Sequence, residues 1–291
     1  MNTLTINNLS KTYKNGVKAL NNISLEIRNG MFGLLGPNGA GKSSLMKTIA
    51  GLQQADFGEV VFNGRNILRD PHAVKQQLGF LPQDFGVYPK VSAYELLSHI
   101  ATLKGILNVA ERNDQVLALL QQTNLYAQRN KEVHTFSGGM RQRFGVAQAL
   151  LGDPRLIIVD EPTAGLDPEE RNRFNNLLSE IGEEKIVILS THLVEDVRNL
   201  CTQMAVMKGG RIIAQGKPWD FISLMDGRLW EKMIPRLERS RYEQDFTVIS
   251  AHLNMGELLL RVHAEQDPGA GFKAAQPGLE DVYFHLIDNK N

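Results

Sequence analysis

The sequence has a single cysteine, no excess of charge of either sign and no long hydrophobic run. Because Cys201 stands alone, neither an intrachain disulfide nor a cysteine-based metal site can form, which fits a reducing compartment. The 32 basic residues balance the 32 acidic residues, so the net charge does not favour wrapping nucleic acid. No apolar stretch approaches the roughly 20 residues that cross a bilayer, so a role at a membrane requires another chain.

The N-terminal stretch MNTLTINNLSKTYKNG has no apolar core and no cleavage pattern, so we predict no signal peptide. Further along, short continuous apolar runs such as MFGLLG, LIIVD and IVILS alternate with helical patterns. This alternation predicts an α/β fold with a parallel sheet covered on both faces. Between residues 93 and 151, apolar spacings of three and four predict helices. These helices form an inserted subdomain, at about residues 84–152.

The pattern changes after about residue 219. FTVISAHL and ELLLRVHA flank NMG and predict a small antiparallel unit, followed by a loop and the short terminal helix LEDVYFHLI. We therefore divide the chain into domains 1–219 and 220–291, the second being an α+β accessory region. The terminal helix has an apolar face that suits either an interface or the core of the accessory region: Leu279, Val282, Tyr283 and Leu286.

The stretch GPNGAGKSS, which we call the phosphate loop, matches the pattern G-x-x-x-x-G-K-[ST]. A strand is predicted before it and a helix after it, as that pattern requires. Its glycines allow backbone N–H groups to surround phosphate oxygens, while Lys42 neutralises the β- and γ-phosphates and Ser43 can ligate Mg²⁺. The predicted nucleotide-binding residues are Gly36, Asn38, Gly39, Ala40, Gly41, Lys42, Ser43 and Ser44. The alternative is a glycine-rich turn that matches by chance.

Two acidic residues follow the predicted strand LIIVD. Asp160 stands at the carboxyl end of that strand, where ligands bind in open α/β sheets, and it is predicted to hold Mg²⁺. Glu161 is then free to orient and deprotonate an attacking water. The alternative is a pair of acidic residues that caps a helix.

A second anion-binding element is predicted in FSGGMRQR. Ser137, Gly138 and Gly139, which we call the signature turn, begin a helical pattern, and N–H groups at a helix start attract anions. Without the other motifs, these three residues would be interpreted as an ordinary helix N-cap.

The order of GPNGAGKS, LPQ, FSGGMRQR, LIIVDEP, GLDP and STH resembles the nucleotide-binding subunit of an ATP-binding cassette (ABC) transporter over residues 1–216. The resemblance implies a P-loop NTPase core with an N-terminal antiparallel β subdomain and an inserted helical subdomain. It also implies a head-to-tail homodimer, in which the signature turn of one chain contacts an ATP held by Lys42 of the other. Phe136 and Met140 replace the leucine and glutamine of the family's usual LSGGQ, which puts any polar role of the fifth position in doubt.

Four further site residues are implied by the resemblance. Gln83 is placed where its amide reaches either Mg²⁺ or the attacking water, and His192 as the residue that bonds the γ-phosphate and aligns Glu161. Asp167 is placed at the dimer interface, and Tyr13 as the aromatic that stacks on adenine. Each also has an ordinary structural interpretation: a solvated glutamine, a helix-capping histidine, a turn aspartate and an exposed tyrosine.

The implied function is that of an ATPase subunit, with ATP and Mg²⁺ as cofactors. The stretch after Gln83 and the terminal helix resemble export-type cassettes, which drive export through a separate integral membrane permease. The protein is therefore expected at the cytoplasmic face of the membrane, without a nucleic-acid partner. The alternative is a soluble ABC ATPase acting on DNA or ribosomes, but such proteins usually have two cassettes or long coiled coils. A non-hydrolysing regulator is disfavoured because Glu161 and His192 are both present. The residues that contact the cargo would belong to the permease, so this sequence does not identify the cargo.

Overall fold

The computed structural model describes residues 1–83, 85–86, 89–163, 166–254 and 256–288. The chain divides into two compact units, residues 1–212 and 213–291. Within the described residues, no helix combines the length and apolar character needed to span a bilayer.

The first unit contains two sheets and seven α-helices among the described residues. Its strands are β1 (Thr3–Thr12), β2 (Lys18–Arg28), β3 (Gly30–Leu35), β4 (Phe57–Phe62), β5 (Arg65–Asn66), β6 (Leu78–Leu81), β7 (Leu156–Asp160), β8 (Ile186–Thr191), β9 (Gln203–Lys208) and β10 (Arg211–Gly216), which continues past the boundary. Its helices are α1 (Lys42–Ile49), α2 (Pro71–Lys75), α3 (Ala93–Leu103), α4 (Val109–Gln122), α5 (Gly138–Leu150), α6 (Pro168–Gly182) and α7 (Val194–Leu200).

The N-terminal sheet is antiparallel, with strand order β2-β1-β4-β5. Alternate side chains of β2 are buried, as expected of strands with one face on a core and one in water. Leu4, Ile6 and Ile23 lie within a hydrophobic cluster that also includes Leu45 of α1 and Ile188 of β8. The predicted antiparallel β subdomain is confirmed.

The second sheet has strand order β10-β9-β3-β8-β7-β6. β3 is parallel to β8 and β9, β7 is parallel to β6 and β8, and every residue of β7 and β8 is buried. Burial on both faces explains why these strands are continuous apolar runs rather than alternating ones. β9 and β10 are joined by Gly209 and Gly210, which both have positive φ, so the glycine pair allows the tight turn of a hairpin.

The helical subdomain lies between β6 and β7, which are neighbours in the sheet. α3 begins with a capping box, in which Ser92 and Glu95 satisfy each other's backbone N–H groups. α4 begins at the N-cap Asn108. Lys104, at the end of α3, donates to the carbonyl oxygens of Leu151 at 2.7 Å and Leu78 at 3.4 Å. This side chain therefore ties the first inserted helix to the main sheet.

The second unit is an antiparallel sheet with three α-helices among the described residues. Its elements are α8 (Pro218–Ser223), β11 (Leu229–Ile234), α9 (Arg239–Asp245), β12 (Thr247–Asn254), β13 (Glu257–His263), β14 (Lys273–Ala274) and α10 (Leu279–Asp288). The strand order is β12-β13-β11-β14. β12 and β13 form the predicted antiparallel pair, although Met255 of their connecting turn lies outside the described residues.

The apolar face of α10 belongs mainly to the core of this unit. Leu279, Val282 and Tyr283 are buried, and α10 packs against α8 and β12. Leu286 is half-buried. Of the two interpretations of this face, the structure supports the accessory core.

Candidate functional site

Five neighbouring strands of the parallel sheet bring the predicted site residues together. The phosphate loop follows β3, His192 follows β8, and Glu161 follows β7. Gln83 comes two residues after β6, and Gly209 comes directly after β9. All of these flank a cleft of about 570 Å³. Ligands bind beyond the carboxyl ends of strands in open α/β sheets, which is where this cleft lies.

The phosphate loop supplies most of the wall of the cleft. The lining residues include all of its predicted binding residues except Gly36: Asn38, Gly39, Ala40, Gly41, Lys42, Ser43 and Ser44. Gly39 and Gly41 have φ of 79° and 106°, which only glycine adopts without strain. A Cβ on Gly41 would also overlap the Ala19 carbonyl. The sharp bend that these glycines allow leads directly into α1, whose first N–H groups suit an anion.

Lys42 is buried at the base of the cleft. Its Nζ donates to Gly36 O at 2.6 Å and lies 3.9 Å from a Glu161 carboxylate oxygen. Burial lowers the pKa of Lys42, while the nearby charges of Glu161 and Asp160 act in the opposite direction. The ammonium is thus placed where phosphate oxygens would compensate for its lost hydration.

Glu161 is held in a conformation that is uncommon for its residue type. Its φ is +52°, and its N–H donates to Ser190 O at 2.8 Å in the neighbouring strand. Its carboxylate is hydrogen-bonded to Nδ1 of His192. Left-handed backbone in a non-glycine residue costs free energy and concentrates at functional sites. Neither residue caps a helix, because α6 has Asp167 as its N-cap and α7 has Leu193.

Asp160 lies beneath the cleft at the end of β7. It is 6% exposed, and its Oδ1 has no hydrogen-bond partner among the described residues. A buried carboxylate oxygen without a donor fits a cation. The described residues contain no group of three or more His, Cys, Asp or Glu side chains able to hold a metal. The predicted set, Asp160 with Ser43 and Gln83, instead offers oxygens only, and Mg²⁺ takes one or two carboxylates together with phosphates.

Tyr13 borders the cleft just after β1. It is 39% exposed, and its hydroxyl lies 2.9 Å from Ser44 Oγ and 3.0 Å from Gln53 Oε1. The ring is therefore anchored by its polar end while its faces stay accessible. No sequence pattern indicates Gln53 or the lining residues Val17, Lys18, Ala19 and Gly209 as members of the site. Only Gly209 stands out in the sequence, as part of a Gly-Gly pair that is typical of a turn.

The signature turn is not part of this cleft in the described chain. Ser137 is the N-cap of α5, and its Oγ accepts from Met140 N at 3.3 Å. Ser137 and Gly138 are exposed, so the start of this helix is accessible to another molecule. Phe136 is buried and packs edge-on against Phe144, which explains why an aromatic residue replaces leucine there.

Asp167 is also outside the cleft. It is exposed and caps α6 by accepting from Glu170 N at 2.8 Å, so its interpretation as a turn residue holds within this chain. Ala164 and Gly165, which belong to the same predicted interface loop, lie outside the described residues.

Comparisons with known proteins identify relatives of this chain in sequence and in fold. The sequence model of the ABC transporter family matches residues 20–164. The linearmycin resistance ATP-binding protein LnrL of Bacillus subtilis is 34% identical over 227 residues, covering 77% of this chain and 72% of that protein. The Nod factor export ATP-binding protein I of Cupriavidus pinatubonensis is 33% identical over 298 residues, covering 97% and 90%. A dimeric ATP-binding cassette, solved in a post-hydrolysis state with ADP and Pi, is 28% identical with a TM-score of 0.67, covering 74% and 98%.

Proposed function

The chain belongs to the ABC transporter family as an ATP-binding protein, and on this basis we propose that it hydrolyses ATP as half of a dimer that drives export through a separate membrane permease. The observation that supports this function most directly is the meeting of Lys42, Glu161 and His192 at the carboxyl ends of three adjacent parallel strands.

The two ends of the cleft bind different parts of the nucleotide. Backbone N–H groups of the phosphate loop surround the phosphates, and Lys42 neutralises their charge. The Tyr13 ring stacks on the adenine, which gives affinity without reading the edge of the base. Ser43, Asp160 and Gln83 would hold Mg²⁺, which when bound neutralises charge on the β- and γ-phosphate oxygens.

Hydrolysis is assigned to Glu161 and His192. The Glu161 carboxylate orients the attacking water and accepts its proton. Its bond to Nδ1 of His192 fixes the ring, so Nε2 is the nitrogen available to the γ-phosphate. Since these groups are held before the nucleotide reacts, little reorganisation is needed during the reaction.

The second half of each site comes from a partner copy. The signature turn lies outside its own cleft, and its exposed helix start suits a γ-phosphate held by the phosphate loop of another chain. Two copies packed head to tail would therefore enclose two ATP molecules. Asp167 would lie at the interface between them.

Coupling to export requires a membrane partner. The relatives named for linearmycin resistance and Nod factor export support an export-type role, in which the inserted helices transmit closure of the dimer to a permease docked at the cytoplasmic face of the membrane. Purification with a multi-span membrane protein would support this role. Stable association with ribosomes or DNA instead would contradict it.

Replacing Glu161 by glutamine tests the catalytic assignment. Glu161→Gln should bind ATP with near-normal affinity, lose about 100-fold or more in kcat and accumulate as a dimer, because only proton transfer and water orientation are removed. Glu183→Gln is the matched control, because Glu183 is an exposed residue directly after α6. Steady-state phosphate release together with size measurement in ATP reports both effects. Normal turnover by Glu161→Gln would contradict the assignment.

A further inference from the structure

The first turn of α6 makes two different contacts through adjacent residues. The Glu170 carboxylate forms an ion pair with Arg143 of α5, the helix that begins with the signature turn. The Arg171 guanidinium contacts Asp196 of α7, the helix that follows His192. One helical turn therefore touches both of the helices that extend from predicted ATP-binding motifs.

The contact toward α5 is close and largely shielded. The Arg143 and Glu170 side chains are 11% and 22% exposed. A Cβ built on Gly139 would lie 2.7 Å from Glu170 Cδ, so the carboxylate packs directly against the signature turn. Gly139 is therefore the residue that leaves room for Glu170, in addition to its place at the helix start.

The contact toward α7 is made by a fully buried carboxylate, which accepts hydrogen bonds from several donors. Asp196 is 0% exposed. Its Oδ1 accepts a hydrogen bond from Arg171 Nε at 2.8 Å and lies 2.7 Å from Arg171 Nη2. Thr163 Oγ1 donates to the other carboxylate oxygen at 2.6 Å. Thr163 follows Glu161 by two residues, so this one carboxylate connects α6, α7 and the segment that carries Glu161.

The neighbouring residues of the same turn provide a contrast. Glu169 pairs with Arg173 at 2.5 Å, but these side chains are 77% and 55% exposed. Exposed ion pairs contribute little, whereas charge-assisted hydrogen bonds between shielded side chains are stronger and fix geometry. The shielded pairs that Glu170 and Arg171 form therefore fix the position of α6. The exposed Glu169–Arg173 pair does not.

From these contacts we propose that Glu170 and Arg171 are positioning residues that make the first turn of α6 a rigid link between the signature turn and the Glu161–His192 pair. The inference rests on the proposed function, in which the signature turn serves the partner's ATP and Glu161 serves the chain's own. Through the link, engagement of the signature turn at one ATP sets the geometry of hydrolysis at the other. Neither residue lines the cleft, so neither acts on the nucleotide directly.

The test compares Glu170→Gln with the matched control Glu169→Gln in the full chain. Glu170→Gln should keep its affinity for ATP within about twofold and its thermal unfolding temperature within a few degrees, while kcat falls about 10- to 100-fold through misplacement of catalytic groups. Glu169→Gln should change none of these quantities. Equal kcat in the two variants would overturn the proposal, and so would a loss of ATP affinity in parallel with kcat.

A second break in the same link keeps the test independent of how one variant folds. Arg171→Gln should reproduce the selective loss of kcat, and Arg198→Gln, which removes an exposed arginine of α7, is its control. If the link acts as one unit, the double variant Glu170→Gln with Arg171→Gln should be no slower than the slower single variant. Multiplied losses would overturn the single link. If the unmodified chain itself neither binds nor hydrolyses ATP, the proposed function fails; normal hydrolysis with unaffected variants refutes the link alone.

Discussion

At the scale of single residues, Tyr13 illustrates how one side chain can be both anchored and available. Its hydroxyl is held by Ser44 and Gln53, and Ser44 itself belongs to the phosphate loop. The anchor fixes the ring in advance, so binding a base costs little side-chain entropy. Under the proposed function, this hydroxyl therefore connects the loop that contacts the phosphates with the ring that contacts the base.

Two substitutions of Tyr13 separate the ring from the hydroxyl. Tyr13→Ala should weaken ATP binding about 5- to 100-fold, because stacking on a base contributes about 1–3 kcal/mol. Tyr13→Phe keeps the ring and should lose only a few-fold. Titration with a fluorescent ATP analogue measures both, and competition with GTP should show the same ranking because stacking tolerates any purine. Equal affinities for the alanine and phenylalanine variants would contradict a stacking role.

At the scale of elements, the attachment of α3 to the main sheet depends on a lysine whose charge is unfavourable. Burial lowers the pKa of Lys104 from 10.5 to about 8, while its Nζ remains hydrogen-bonded to Leu151 O. Between these two pH values the folded chain binds fewer protons than the unfolded chain, so the free energy of unfolding rises with pH. The contribution is complete above pH 10.5 and is lost as pH falls through about 8.

Comparison with Lys104→Met isolates this contribution, because all other titrating groups are shared. The free energy of unfolding of the unmodified chain, minus that of Lys104→Met, should increase by about 1–3 kcal/mol between pH 7.5 and 10. Urea denaturation at several pH values measures it. A difference that is flat or falling over this range would show that the ammonium is not held in a low-dielectric site.

Prediction from sequence succeeded for the elements whose pattern is set by burial. LIIVD and IVILS are buried throughout as β7 and β8, and the apolar spacings of residues 93–122 became α3 and α4. β11 was missed because LWEKMI is buried only at its two ends, which leaves no alternation to detect. The short helix α9 was also missed, since none of its residues is buried.

Within the site, sequence patterns identified the groups that follow each strand but not those that support them. Asp196 and Arg171 sit on unremarkable helical stretches, and their contact depends on how α6 and α7 pack. Gln53 likewise reaches Tyr13 only through the tertiary fold. Contacts of this kind have no fixed spacing along a chain, so no motif could reveal them.

At the scale of the whole molecule, the separation of the signature turn from the cleft predicts that activity depends on assembly. Specific ATPase activity should rise with protein concentration until dimers predominate, because a complete site needs two chains. Ser137→Glu should abolish most of the activity, since a carboxylate at the signature turn would repel the γ-phosphate. Ser179→Glu adds the same charge on the exposed face of α6 and should have little effect.

Analytical ultracentrifugation alongside phosphate release relates turnover to the dimer fraction. Rapid turnover from a species that stays monomeric would refute the shared site. Full activity in Ser137→Glu would refute the role of the signature turn even if dimers form.

The helical subdomain leaves the main sheet after β6 and returns at β7, the adjacent strand. Both of its attachment points therefore sit side by side, and no other strand is interrupted by it. Such a segment can diverge in length and in surface residues while the strands of the sheet keep their register. Sequence changes confined to this subdomain therefore leave the strand order of the sheet intact, and under the proposed function they are the changes that would adapt the protein to a different membrane permease.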